Sequence, residues 1–412
     1  MDIKLVKNMR KKIILICSLV YFASYFSRKD FAIIMSDLLQ KNIIDKQTGG
    51  LLCLALFICY GVGQIISGYL GDKLKPKLMI TIGLVGAAIC NLLLPLTSNP
   101  TLMILIWGIN GLSQAMLWPP IIRILSTTLN NEDYVKANLL VTSAAHIATI
   151  LLYIYIPLCL IYFTWQFVFI SATVLALISC AVFLIGINSI LPKNTTDAKN
   201  STEIKAEPLN LLFKNTPLIT IFIIIVAMGS LRDGIETWLP TLYQEAFQRS
   251  SSESILVSII LPIFSVLSIT ITTTFHKKSK LINNEILGSL IFFVLAAFIS
   301  IILLMTININ HFIARFVTLC LSALICSIMH GCNFLLISCL PGRFKTLGRS
   351  ATASGFCNAF TYVGAALSTY GFALLSKNHG WNFTITSWLI IALIGVIFCF
   401  ISKKKYTNFI HQ

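Results

Sequence analysis

The chain runs as long apolar stretches separated by short polar breaks, and these stretches are far too long for strands. About 20 consecutive apolar residues form a helix that crosses a bilayer. Such stretches fall at about 12–38, 47–71, 77–97, 101–128, 134–163 and 165–191, then at about 215–246, 253–275, 284–307, 311–340, 348–377 and 380–402. The pattern predicts an all-α membrane protein with twelve transmembrane helices. The stretch 192–214 is the one long polar break, rich in Lys, Asp, Glu, Asn and Thr. It reads as a solvated linker. The expected organisation is a six-helix bundle over 1–191, a cytoplasmic linker over 192–214 and a second six-helix bundle over 215–412. The first apolar run has no small-residue cleavage site and eleven others follow it, so it is expected to be a retained helix and not a signal peptide.

Composition strengthens this picture: 57% of the 412 residues are hydrophobic and only 11% charged, with a mean hydropathy of +0.86. A water-soluble chain of this length cannot hide so much apolar surface. The net charge of +16 comes largely from alternate polar breaks: Lys4 to Lys12, Lys73 to Lys77, Arg123 and Lys136, the linker lysines, Lys277 to Lys280, Arg343 to Arg349, and Lys403 to Lys405. The excess of basic residues on one side places both termini in the cytoplasm. These residues are scattered over short loops, without the basic stripe that would suggest nucleic acid. Asn194 and Asn200 fit the glycosylation pattern but fall on the cytoplasmic side, where they are expected to stay unmodified. The twelve cysteines lie mostly inside apolar spans and read as small hydrophobes. No metal or other cofactor is expected. The loops are too short for a catalytic domain and show no P-loop or nucleophile elbow, which argues against an enzyme and against an ATP-driven pump.

Two charges stand out because of where they fall. Arg28 and Arg232 occupy the middle of the first helix of each half. A charge at that depth costs roughly 3 kcal/mol or more unless protein or water solvates it. A shift of 204 residues superimposes Arg28 on Arg232, Leu38 on Leu242 and Gln40 on Gln244. Each arginine lies about sixteen residues into its predicted helix, or about 24 Å at 1.5 Å per residue. The two guanidiniums are therefore expected at similar depth, facing each other across the interface of the halves. Tyr21, Tyr25 and Arg28 are spaced four and three apart, on one helix face. Alternatively, the tyrosines are packing aromatics and Arg28 pairs with Asp30 or Asp37. A guanidinium grips phosphate through paired charge-assisted hydrogen bonds and stays protonated. Two of them would roughly neutralise a phosphate monoester, at about −1.5 to −2 near pH 7.

The run Tyr21-x-x-x-Tyr25-x-x-Arg28-Lys29-x-Phe31 resembles helix 1 of the organophosphate:phosphate antiporters of the major facilitator superfamily, which include bacterial glycerol-3-phosphate and hexose-phosphate transporters. Arg232-Asp233-Gly234 through Trp238-Leu239-Pro240 is similar to that family's R-x-G-x-x-x-W-x-P. Trp118-Pro119-Pro120 with Arg123 matches its W-P-P-x-x-R, and His146 falls where the family has a site histidine. Gly68 to Lys77 resembles the superfamily's loop between helices 2 and 3. The resemblance implies a twelve-helix carrier that exchanges a sugar phosphate or glycerol phosphate for inorganic phosphate by alternating access, as a monomer without a cofactor. It implies substrate contacts from Arg28, Arg232, Lys29, Tyr21, Tyr25, His146 and Gln64, a cavity wall at Trp118, and gating by Gly68, Asp72 and Lys73. His146 could instead bond across to another helix. His330, Asn333, Asn358 and Tyr362 are polar residues in apolar spans that could read the organic group.

The chain also departs from the pattern. Gln64 stands where the glycerol-3-phosphate members carry lysine, Asp233 directly follows the helix 7 arginine, and the second half lacks a good copy of the 68–77 loop. Two alternatives follow: a membrane sensor of sugar phosphate with the same fold, or a proton-coupled organic-anion facilitator using Asp30, Asp233 or Glu236.

Overall fold

A computed structural model describes residues 3–190, 217–278, 284–309, 311–344 and 350–410. The linker 192–214, with Asn194 and Asn200, lies outside the described residues, as do the side chains of Asp72 and Lys73. The helices before the linker are α1 (Ile3–Gln40), α2 (Lys46–Lys73), α3 (Pro76–Leu93), α4 (Pro100–Ala115), α5 (Trp118–Thr128), α6 (Asn131–Tyr162) and α7 (Gln166–Ile190). After it come α8 (Leu218–Phe247), α9 (Ser251–Val257), α10 (Ile260–Lys278), α11 (Glu285–Thr306), α12 (Phe312–Asn333), α13 (Ser350–Asn378) and α14 (Gly380–Ile410). Their boundaries follow local chemistry. Pro76 and Pro100 open α3 and α4, where a missing N–H does no harm. Asn99, Asn130 and Asn284 cap the next helix by accepting from Thr101, Asp133 and Leu287 N–H groups.

Eleven spans among the described residues are long and apolar enough to cross a membrane, with α4–α5, α9–α10, and α12 with the turns that follow it each making one. The twelfth is α1, whose apolar run is interrupted by Arg28, Lys29 and Asp30. It begins at Ile3, well before the predicted start, because its basic first turns continue as helix and Arg10 Nη1 reaches Asp133 Oδ2 at 2.6 Å. Arg28 thus lies twenty-five residues beyond the start of α1, whereas Arg232 lies fourteen beyond the start of α8.

Packing groups the chain into two units, Met1–Ile43 with Ala55–Ser201, and Ile44–Leu54 with Thr202–Gln412. In the first, α1 packs against α6 and α7, and α3 against α7. In the second, α8 packs against α13 and α14, and α11 against α14. The same scheme therefore recurs: the first helix of each half is held by the fifth and sixth spans of that half. This makes α8 a core helix, with 78% of its most apolar window buried against 33% for α14. Elsewhere the spans present apolar side chains outward, among them Ile58, Val62, Ile65, Ile170, Val174 and Phe298. Such a surface suits lipid.

The α8–α13 crossing brings two backbones into contact. A Cβ on Gly364 would lie 2.2 Å from the Val226 carbonyl oxygen, and one on Gly229 would lie 2.4 Å from that of Thr361. Both helix ends of the second unit are tied by polar groups. At one end buried Glu285, at the start of α11, accepts from Arg343 Nε at 2.9 Å and from the Tyr406 hydroxyl at 2.8 Å. At the other, Lys377 Nζ meets Asp45 at 2.8 Å, and Glu245 Oε2 accepts from Lys46 Nζ at 2.6 Å and Trp381 Nε1 at 2.9 Å. The hydrogen bonds from Lys377 and Thr48 hold the Asp45 carboxyl well below the usual carboxylate range.

Gly364→Val should lower the midpoint of thermal unfolding in detergent, since an overpacked contact typically costs about 1–3 kcal/mol; an unchanged midpoint would mean that the crossing relaxes freely. A depressed carboxyl stabilises the fold above its unfolded pKa of about 3.9, and that stability is lost as pH falls through the folded value. The stability gap between wild type and Lys377→Met should therefore be present at pH 7, shrink below about pH 4, and narrow in high salt. Thermal scans at both pH values and two ionic strengths read it directly.

Candidate functional site

The first unit builds its polar face around the middle of α1. Tyr21, Tyr25 and Arg28 share one side of the helix, as their spacing requires. The Arg28 guanidinium carbon lies 4.3 Å from the centre of the Tyr25 ring and 4.8 Å from that of Tyr60 on α2. Tyr21 packs edge-on to Tyr25 at 5.0 Å and leans on Trp118 at 4.7 Å. Aromatic faces stabilise a cation without supplying a formal counter-charge. Arg28 is buried to 8% exposure, while Lys29 and Tyr25 are half-buried. Of the two carboxylates weighed above, Asp30 accepts the Phe31 N–H at 2.7 Å, and Asp37 lies 2.9 Å from Lys41.

An adjoining side of α1 is held by a buried hydrogen-bond hub. Asn91 on α3 and Asn110 on α4 both donate to the Ser27 carbonyl, at 2.9 and 3.1 Å. Gln114 donates to the Ser27 hydroxyl at 3.0 Å and accepts from that of Ser24 at 2.6 Å. All five residues are buried. Interhelical bonds of this kind fix the rotation of α1 about its axis, and hence the side on which Arg28 emerges.

Two predicted site residues, Gln64 and Trp118, sit at the break between α4 and α5. Pro119 has no N–H, which leaves the Ala115 carbonyl without its helical donor. Gln64 Nε2 donates to that carbonyl at 3.3 Å, so its amide is engaged in holding α2 to α4. The N–H groups of Met116 and Leu117 fall back to Ser113 and Gln114 at 3.2 Å, and Trp118 starts the new helix against Tyr21. Beyond it, Arg123 Nη1 donates to the Leu74 carbonyl at 3.2 Å, in the turn that follows Gly68. His146 Nδ1 lies 2.9 Å from the Thr142 carbonyl. Donation there leaves Nε2 an acceptor in the neutral ring, so it can donate to an anion only when protonated.

The second unit arranges its charges differently. Arg232, 9% exposed, donates from Nη1 to Asn333 Oδ1 on α12 and from Nη2 to Asp233 Oδ2, both at 2.6 Å. Glu236 and Tyr362 lie within electrostatic range of it, and Glu236 Oε2 is 4.0 Å from His330 Nε2. The other members of this sequence motif serve packing. Gly234 admits Phe372 and Ser368 of α13, where a Cβ would lie 2.4 and 2.7 Å from them. Trp238 is fully buried and donates from Nε1 to the Thr369 carbonyl at 2.8 Å. The motif thus turns one face toward α13 for contact and offers Arg232 to α12.

Sequence reasoning missed Ser24, Ser27, Asn91, Asn110 and Gln114, and also Glu285 with Arg343 and Tyr406. The available signal was polarity at membrane depth, but the partners lie up to 121 residues apart.

The sequence profile of the Major Facilitator Superfamily matches residues 17–337. A Chlamydia trachomatis protein named "Probable hexose phosphate transport protein" is 36% identical over 120 residues, 29% of this chain and 26% of that one. The glycerol-3-phosphate transporter of Bacillus subtilis is 34% identical over 118 residues, 28% and 26% of the two chains. The membrane sensor protein UhpC of Escherichia coli is 27% identical over 124 residues, 30% and 28%. Each match thus spans about a quarter of the relative's length. Among solved structures, a bacterial homologue of the human lysosomal transporter Spinster superimposes with a TM-score of 0.76 at 11% identity, covering 97% of this chain and 98% of that one. The nucleoside transporter NupG gives 0.71 at 16% identity, covering 97% and 99%. At these identities the likeness concerns the fold.

Gln114→Leu leaves the Ser24 hydroxyl without its acceptor and should destabilise the protein by about 1–3 kcal/mol. Adding Ser24→Ala and Ser27→Ala should recover part of the loss, because the two hydroxyls that bonded to Gln114 are then removed with it. A triple variant less stable than the single one by thermal unfolding would contradict the hub.

Proposed function

The chain belongs to the Major Facilitator Superfamily, and from that premise we propose that it exchanges a sugar phosphate or glycerol phosphate for inorganic phosphate by alternating access. The observation that carries this reading is a buried guanidinium in the middle of the first helix of each unit, Arg28 and Arg232. Membrane helices seldom retain such a charge without a functional use. The short matches to proteins named for hexose phosphate and glycerol-3-phosphate transport point to the same anion.

In this reading Arg28 and Arg232 grip the phosphate from the two six-helix bundles, 1–191 and 215–412, which rock about a cytoplasmic linker. Lys29, Tyr21, Tyr25 and protonated His146 add donors, Trp118 and Gln64 shape the wall, and Gly68, Asp72 and Lys73 act at the gate. Both termini lie in the cytoplasm of a bacterial inner membrane, and a monomer suffices. Without an anion, the two cations oppose closure. With a dianion between them closure is favoured, because a ligand shifts an equilibrium only by its differential affinity for the two states. The loaded carrier therefore crosses faster than the empty one, which gives exchange.

Proteoliposomes preloaded with labelled phosphate test this. External hexose phosphate or glycerol phosphate should drive efflux, and a panel of phosphorylated sugars, glycerol phosphate and phosphoglycerates identifies the organic group. Arg28→Ala and Arg232→Ala should each cost about 2–5 kcal/mol of ligand interaction, roughly 30-fold or more in rate over KM. Rapid net efflux without counter-substrate would overturn exchange. Uptake driven by a pH gradient and surviving in Arg28→Ala would favour the proton-coupled organic-anion facilitator. The match to UhpC supports a second reading, a sensor of sugar phosphate; binding without any transport by the purified protein would select it.

A further inference from the structure

We propose that Asp233 is an internal counter-anion that competes with the substrate's phosphate for Arg232 and thereby sets the carrier's affinity. The inference rests on the functional reading above and concerns a residue at which this chain departs from the resemblance. Neighbouring residues on a helix point about 100° apart. The 2.6 Å contact between Arg232 Nη2 and Asp233 Oδ2 therefore draws the arginine sideways along its own helix. Asn333 takes the other terminal nitrogen at the same distance. Two oxygens thus take one N–H from each of the terminal nitrogens to which a phosphate would bind end-on. Only Nε of this buried guanidinium lacks a hydrogen-bond partner.

The neighbouring charges give the same picture. Glu236 lies one turn further along α8, facing His330 at 4.0 Å, and Tyr362 of α13 adds a hydroxyl near the guanidinium. Arg232 is therefore surrounded by oxygen, some of it negatively charged, before any substrate arrives. An incoming phosphate first meets free Nε, then replaces Asp233 on Nη2. Breaking a buried ion pair by removing one partner is costly, whereas replacing one anion by another on the same cation is nearly balanced. Asp233 thus weakens binding and eases release by returning to the guanidinium as phosphate leaves. Asn in its place keeps the volume, removes the competing charge and leaves Arg232 in need of an anion.

The test uses the full-length protein in nanodiscs with inorganic phosphate as probe. Calorimetric Kd and the phosphate-induced rise in Tm are read beside exchange turnover in proteoliposomes. Asp233→Asn should lower Kd about tenfold, enlarge the rise in Tm and slow turnover. Recovery of this variant only with phosphate present throughout purification would also support the proposal, since the ligand then replaces the missing charge. Adding Arg232→Ala should abolish the gain. The proposal is overturned if wild type binds and exchanges phosphate while Asp233→Asn has the same or a weaker affinity. A gain that persists without Arg232, or a variant that cannot be recovered even with phosphate, overturns it too. A wild-type protein that neither binds nor exchanges phosphate refutes the functional reading, and this inference with it.

Discussion

A guanidinium placed in the apolar middle of a helix has to be solvated by protein, because lipid cannot do it. Much of this molecule's polar architecture answers that requirement. Arg28 is received by the faces of Tyr25 and Tyr60, which attract a cation through their ring electrons. Arg232 is received by oxygen, from Asp233 and Asn333. The two solutions differ electrostatically although the two arginines hold corresponding places in the sequence. One cation stands against aromatic rings; the other meets a carboxylate and an amide oxygen.

Holding the arginines also requires holding the helices that carry them. In the first unit this falls to the amides of Asn91, Asn110 and Gln114, which bond to Ser24 and Ser27 on α1. In the second it falls to backbone contact, with Gly229 and Gly364 letting α8 and α13 touch and Trp238 bonding across to Thr369. The order of packing is shared, the central helix lying against the fifth and sixth spans of its half. The means are not. Two repeats can thus keep one scaffold while few identities survive between them, because burial of apolar faces sets the scaffold and different polar contacts can lock it.

The helices, and the arginines within them, were largely legible in the sequence, and for a physical reason. Bilayer thickness sets the length of an apolar run, so hydropathy alone locates the spans. Mid-span arginines are rare enough to be noticed one at a time. The start of α1 was misread because polarity marks where a helix leaves the apolar layer, not where its hydrogen bonding ends. Gln64 was read as facing substrate because position suggested a donor. Its hydrogen bond to the Ala115 carbonyl was not legible, because it answers Pro119, whose missing N–H frees that carbonyl for a donor from a neighbouring helix.

Local rules of length, charge and periodicity thus determined by themselves that this is an all-helical membrane protein with a cation in the first helix of each half. Only tertiary structure decided what surrounds each cation. Tyr60 is 32 positions from Arg28 and Asn333 is 101 from Arg232. Such pairings depend on helix rotation and crossing, which arise from the packing of whole faces and leave no periodic trace in the chain. Even Asp233, adjacent to Arg232 in sequence, would ordinarily point to another side of the helix. Its contact with the guanidinium exists because burial makes an unpaired charge more costly than a bent side chain.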